Sequence, residues 1–116
     1  MASKFVKKIK LMKKVDGKYE AKQYSSAEFL PGQVLEEAID LQFELEDAAK
    51  NNDKEDLKVT MRKIYDFIGD SVYEGQFTGE EYLNGLDARE VMSLTRDILM
   101  SVTAGYDSVY ENQKKK

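Results

Sequence analysis

The chain is 116 residues long, 41% hydrophobic and 34% charged, with a net charge of −4 and neither Cys nor His. That size suits one domain with a modest core, and the missing residue types exclude a disulfide framework, a thiolate nucleophile, an imidazole base and the common zinc sites. No apolar run approaches the roughly 20 residues of a membrane span and no signal peptide is legible; a chain without Cys fits a cytoplasmic life.

The charge is unevenly placed. Residues 1–24 hold eight Lys against two acidic side chains, a net +6, whereas residues 25–113 hold seven basic against twenty acidic, a net −13. A basic arm on an acidic body favours contact with another copy, an acidic partner or a polyanion; the plainer reading is a solvated lysine face.

The arm reads as a β-hairpin. Phe5, Ile9, Leu11 and Val15 alternate with Lys4, Lys8, Lys10 and Lys14, which gives one apolar and one cationic face. Asp16-Gly17 suits a type I′ turn, and Tyr19 to Tyr24 can return as the second strand. Residues 25–32 form a connector, and Pro31 disfavours helix at Leu30, so the first helix starts near Gly32.

From Gln33 to Ala49, one stripe at helical spacing holds Val34, Ala38, Leu41, Leu45 and Ala48. Leu35, Ile39 and Phe43 form a second stripe, which a small core does not need. Asn51-Asn52-Asp53 ends this helix and caps the next. There Leu57, Met61, Ile64 and Ile68 share a face from Lys54 to Gly69, with Val72 behind, while Val59 and Phe67 fall off that stripe. The aromatics Tyr65, Phe67, Tyr73, Phe77 and Tyr82 gather at the following corner. The simpler account is core closure; the sharper one is a partly exposed patch that anchors a partner.

Two helix-start signals follow back to back: Thr78 with Glu81, and Asp87 with Glu90. Each places a capping oxygen three residues before a carboxylate. Gly85 falls between them, where the short helix stops and positive φ is expected. Val91, Leu94, Ile98 and Val102 then align on a long final helix, extended by Tyr106 and Val109 if it runs through Gly105. The expected fold class is mainly α (α+β), an N-terminal β-hairpin followed by four or five helices in one domain. The expected division is a basic arm over 1–24, a connector over 25–32, a helical domain over 33–110 and a flexible lysine-ending tail over 111–116.

Chemistry is sparse. Carboxylate pairs such as Glu36-Glu37 with Asp40 fall at the spacing of a solvated helix face, so no enzyme and no cofactor are expected. Asp70 to Glu81 has the outline of a calcium loop, with Glu74, Gly75 and Glu81 in place, but Val72 occupies a ligand position. Lys18, Tyr19, Lys22 and Tyr24 could stack on single-stranded nucleic acid, a reading opposed by the acidic body. The alternative function is therefore a small regulatory binding domain, calcium-loop-like or nucleic-acid-binding, of prophage or bacterial origin.

The segment Phe77-Thr78 through Tyr82-Leu83-Asn84-Gly85-Leu86-Asp87 and the helix after it resemble the tail assembly chaperones of long-tailed phages and prophages of Gram-positive bacteria. The likeness is clearest over residues 34–105. It marks Thr78, Glu81, Tyr82, Gly85, Leu86, Asp87 and Glu90 as a structural corner rather than a binding motif. It implies a helical protein of the host bacterial cytoplasm, absent from the mature virion, that binds and solubilises the tape measure protein. It also implies that a longer frameshifted form recruits tail tube protein; Lys114-Lys115-Lys116 is compatible with an A-rich slippery run. Surplus apolar helix surface independently asks for a covering polypeptide, a partner helix or another copy in a homo-oligomer. The residues expected to bind it are Leu35, Ile39, Phe43, Val59, Phe67, Tyr73 and Phe77.

Overall fold

A computed structural model describes the backbone of residues 6–114 and the side chains of residues 6–103. Phe5, Tyr106 and Val109, with the final residues Lys115 and Lys116, lie outside what is described at side-chain level. The architecture is α+β: an antiparallel hairpin of β1 (Lys8–Val15) and β2 (Lys18–Ser25), followed by four helices. These are α1 (Gly32–Lys50), α2 (Lys54–Phe67), α3 (Gly79–Asn84) and α4 (Val91–Lys114).

Asp16 and Gly17 carry φ of 51° and 80°, the two left-handed residues of a type I′ turn, and Ile9 pairs with Tyr24 and Leu11 with Lys22. Ile9 and Leu11 are buried against the helices, whereas Val15 near the tip is exposed, because the hairpin outruns the body. Three bonds tie the base of the hairpin down. Lys7 N–H donates to Ser26 Oγ (2.8 Å), Tyr73 O–H to the Lys7 carbonyl (3.0 Å), and Met12 N–H to the Gly85 carbonyl (2.8 Å).

α1 starts directly after Pro31, and Asp53 caps α2 by accepting from Glu55 N and Asp56 N. Asn52 takes φ of 57° to turn the chain between them. Instead of ending, α2 continues into one π-helical turn over Ile68–Val72, which periodicity had not indicated. Tyr73 N–H donates to the Ile68 carbonyl (2.9 Å), and Ile68, Val72 and Tyr73 are all buried. The wider turn swings Tyr73 inward, and the chain reverses at Glu74 and Gly75, both at positive φ.

The capping box of α3 is complete: Thr78 Oγ1 accepts from Glu81 N and Glu81 Oε1 accepts from Thr78 N, both at 3.0 Å. Two expectations at this corner are corrected. Gly85 has φ of −88°, so it is not there for left-handed backbone. It is there for space, since a methyl would meet Leu11 Cβ at 2.8 Å and the Met12 carbonyl oxygen at 3.1 Å. Asp87 and Glu90 form no reciprocal box. The Asp87 carboxylate accepts from Arg89 N (2.9 Å) and pairs with the Arg89 guanidinium (2.9 and 2.8 Å), and α4 begins at Val91. Neighbouring Arg89 satisfies the carboxylate within the turn. Leu86 is half-buried and packs on the core.

The core is one cluster centred on Ile64, Ile68, Tyr73, Tyr82 and Ile98, with Ile9 and Leu11 supplied by the hairpin and Val34 and Ala38 by α1. α4 runs through Gly105 to Lys114.

Candidate functional site

On α1, successive residues advance about 100°, so Val34, Ala38, Leu41, Leu45 and Ala48 stay on one line. Val34, Ala38 and Ala48 are buried, and Leu41 and Leu45 are half-buried against the core. Leu35, Ile39 and Phe43 recur every fourth residue and drift around the cylinder away from that line. Leu35 and Ile39 are half-buried and Phe43 is 48% exposed; among the described residues none of the three belongs to the core cluster or packs against it.

Two side-chain contacts fix how α1 is held. Gln42 Nε2 donates to Thr103 Oγ1 (3.4 Å) on the α4 flank, and Lys63 of α2 pairs with Glu44 (3.3 Å) on the opposite flank. The second stripe therefore lies on the α4 side and outward face of α1. Glu36, Asp40 and Asp47, all exposed, border Phe43 with negative charge. Val59 on α2 is a separate exposed apolar residue at 52% exposure.

The aromatic corner is not surface. Phe67, Tyr73 and Phe77, expected among the partner-binding residues, are 7%, 0% and 2% exposed. Phe77 stacks on Tyr82 (6.0 Å), tilts on Tyr73 (5.1 Å) and meets the edge of Tyr24 (4.9 Å). The cause is local backbone. The π-turn and the reversal at Glu74-Gly75 fold the chain back on the end of α2, so closely that a methyl on Gly79 would collide with Asp66. Their polar tips are satisfied inside: Tyr82 O–H pairs with Thr95 Oγ1 (2.9 Å), and burial raises the Tyr82 phenol to about 12 and drives Tyr73 higher still. Hydrogen bonding from Arg89 lowers Asp87 to about 2.

Periodicity alone did not show two surface features. An apolar groove of 370 Å³ is lined by Leu57, Met61, Tyr65, Leu83 and Met92, with Lys58 and Arg62 at its rim. Met92 follows Val91 on α4 and falls off the stripe of Val91, Leu94, Ile98 and Val102, a signal that stripe reading passes over. A second groove of 660 Å³ separates the inner face of the hairpin from α3, with Lys13, Lys14 and Lys22 facing Glu80 and Glu81. It exists because the hairpin reaches past the body, which no local pattern encodes.

The calcium-loop outline has no matching geometry. Val72 sits buried in the π-turn, Glu81 is engaged in the capping box, and no group of three or more acidic side chains converges among the described residues. Of the residues expected to stack, Lys22 lies with its Nζ 5.3 Å from the Tyr24 ring centre, and Tyr19 has Lys14 Nζ 5.9 Å from its own ring centre. Tyr24 is also half-buried on Phe77, so only Tyr19 is freely exposed. Among the described residues no helix is long and apolar enough to cross a membrane.

Searches of curated proteins and of solved structures gave no match. The model of a family described as phage tail chaperone protein matches residues 6–116, which takes in the hairpin, the capped corner and every helix. With that match over nearly the whole chain, the chain belongs to the phage tail chaperone family.

Proposed function

We propose that this tail assembly chaperone binds the tape measure protein and keeps it soluble, through the second stripe of α1. The observation that carries the reading is the exposure of Phe43 together with the exclusion of Leu35 and Ile39 from the core. An amphipathic helix laid along such a stripe buries apolar area at about 25 cal/mol per Å², so a patch of a few hundred Å² contributes several kcal/mol before ordering costs. Repeated over many copies, that shields a long helical chain, yet each contact remains weak enough to release it. The acidic border of α1 keeps the coated complex from aggregating by mutual repulsion. Val59 supplies a second anchor on α2. Burial of Phe67, Tyr73 and Phe77 gives them a part in shaping the body, not in the contact. No catalytic step is required of any residue, and the protein acts in the host cytoplasm and leaves before the virion is complete.

The test is co-expression with the tape measure protein. Replacing Leu35, Ile39 and Phe43 with Ser should abolish co-purification and return the tape measure to the insoluble fraction, with helicity unchanged. Undiminished co-purification of the triple variant rejects the stripe as the contact.

A further inference from the structure

The outer edge of β2 is open, and its phase can be read twice. Met12 N–H leaves β1 on the side away from β2 to reach Gly85, and Met12 faces Ala21 in the register. Met12–Ala21 is therefore a non-hydrogen-bonded pair, and Ala21 turns its own N–H and C=O to the far edge of the hairpin. Tyr19 and Gln23, two residues to either side, do the same. Ser25 is next in that series, and its carbonyl accepts from Gln76 Nε2 (2.8 Å), which confirms the phase and marks where the open edge ends. Among the described residues nothing pairs with the backbone of Tyr19, Ala21 or Gln23, and all three are exposed.

We propose that this edge pairs antiparallel with the same edge of a second copy, about a two-fold axis at Ala21, to form a continuous four-stranded sheet. The sequence is self-complementary about that axis. Glu20 of each copy faces Lys22 of the other, Tyr19 faces Gln23, and the small Ala21 side chains meet at the centre. The pairing supplies about six backbone hydrogen bonds, the number an antiparallel segment of this length offers. The outer edge of β1 does not compete. It carries Lys8, Lys10 and Lys14 with no acidic residue among them, and its Met12 N–H is already used. A lone two-stranded hairpin that outruns its body gains the added strands it lacks.

The test is sedimentation equilibrium of the full chain over a roughly hundredfold concentration range, with circular dichroism to verify folding. The wild type should reach a dimer. Ala21→Pro removes an N–H that the hairpin ladder does not use, so it should leave the hairpin intact and weaken dimerisation about tenfold or more. Glu20→Lys should do likewise, since it sets Lys against Lys across the axis. The double variant Glu20→Lys with Lys22→Glu should restore association. A monomeric wild type, undiminished association of Ala21→Pro, or a double variant no better than Glu20→Lys would each overturn the proposal. Because the stripe of α1 takes no part, the triple Ser variant should dimerise as the wild type does, which separates this result from the fate of the tape measure reading.

Discussion

At Gly85 the decisive quantity is a distance. With φ of −88° any residue could adopt the backbone, yet a methyl would stand 2.8 Å from both Leu11 Cβ and the Glu81 carbonyl oxygen. Gly85→Ala is expected to destabilise the fold by about 1–3 kcal/mol, the usual cost of forcing atoms into a packed site, which urea unfolding would measure. Tyr82 gives a pH dependence with a definite sign. Its phenol is neutral and buried, and its pKa rises from 10.0 to about 12 through desolvation, opposed by the hydrogen bond with Thr95 and aided by Tyr65. The folded state thus holds the proton more tightly than the unfolded one. That contribution is complete below pH 10 and declines as pH rises toward 12, so stability should fall across that window. Tyr82→Phe should flatten part of the decline while costing about 1 kcal/mol at neutral pH for the lost bond to Thr95; thermal melts at several alkaline pH values would show both effects.

The element that most shapes the molecule is the π-turn over Ile68–Val72. It lets Tyr73 point into the core and reach the base of the hairpin, where its hydroxyl donates to the Lys7 carbonyl. That carbonyl also accepts from Ser26 N (3.0 Å), so Tyr73→Phe leaves no orphaned acceptor. The expected loss is about 0.5–1.5 kcal/mol. It should appear as faster amide exchange at Ser26 and Ala27, with the centre of α2 unaffected. Much at this scale was legible beforehand. Asp16-Gly17, Pro31, Asp53 and the Thr78–Glu81 box each act through neighbours within a few residues, so their chemistry is written in order along the chain. The π-turn was not legible, because Ile68 and Val72 also fit an ordinary helical stripe; the choice between hydrogen bonds spanning four residues and five rests on what Tyr73 and Phe77 pack against.

For the molecule as a whole, the two stripes of α1 differ in what they hold together. Ile64, fully buried, shares the core cluster with Val34 and Ala38 of the first; Leu35 and Ile39 are half-buried and Phe43 is exposed, and among the described residues none of the three is in that cluster. Ile64→Ala should cost about 2–5 kcal/mol in unfolding free energy. Phe43→Ser should cost well under half as much, because half of the ring is already in water and leaves little cavity. A large destabilisation by Phe43→Ser in chemical denaturation would show that the ring supports the fold and is not held in reserve for a partner.

Residue order by itself determined the hairpin, the helix boundaries at Gly32 and Lys54 and the first capping box. Each follows from turn chemistry, capping or periodicity over a short span. Only the tertiary structure decided which of the described apolar residues are exposed. Phe67, Tyr73 and Phe77 looked available along the chain and are enclosed in space, whereas Phe43 and Met92 remain outside. Burial depends on how the segment after α2 folds back and on how far the hairpin reaches, and those depend on contacts between residues distant in sequence.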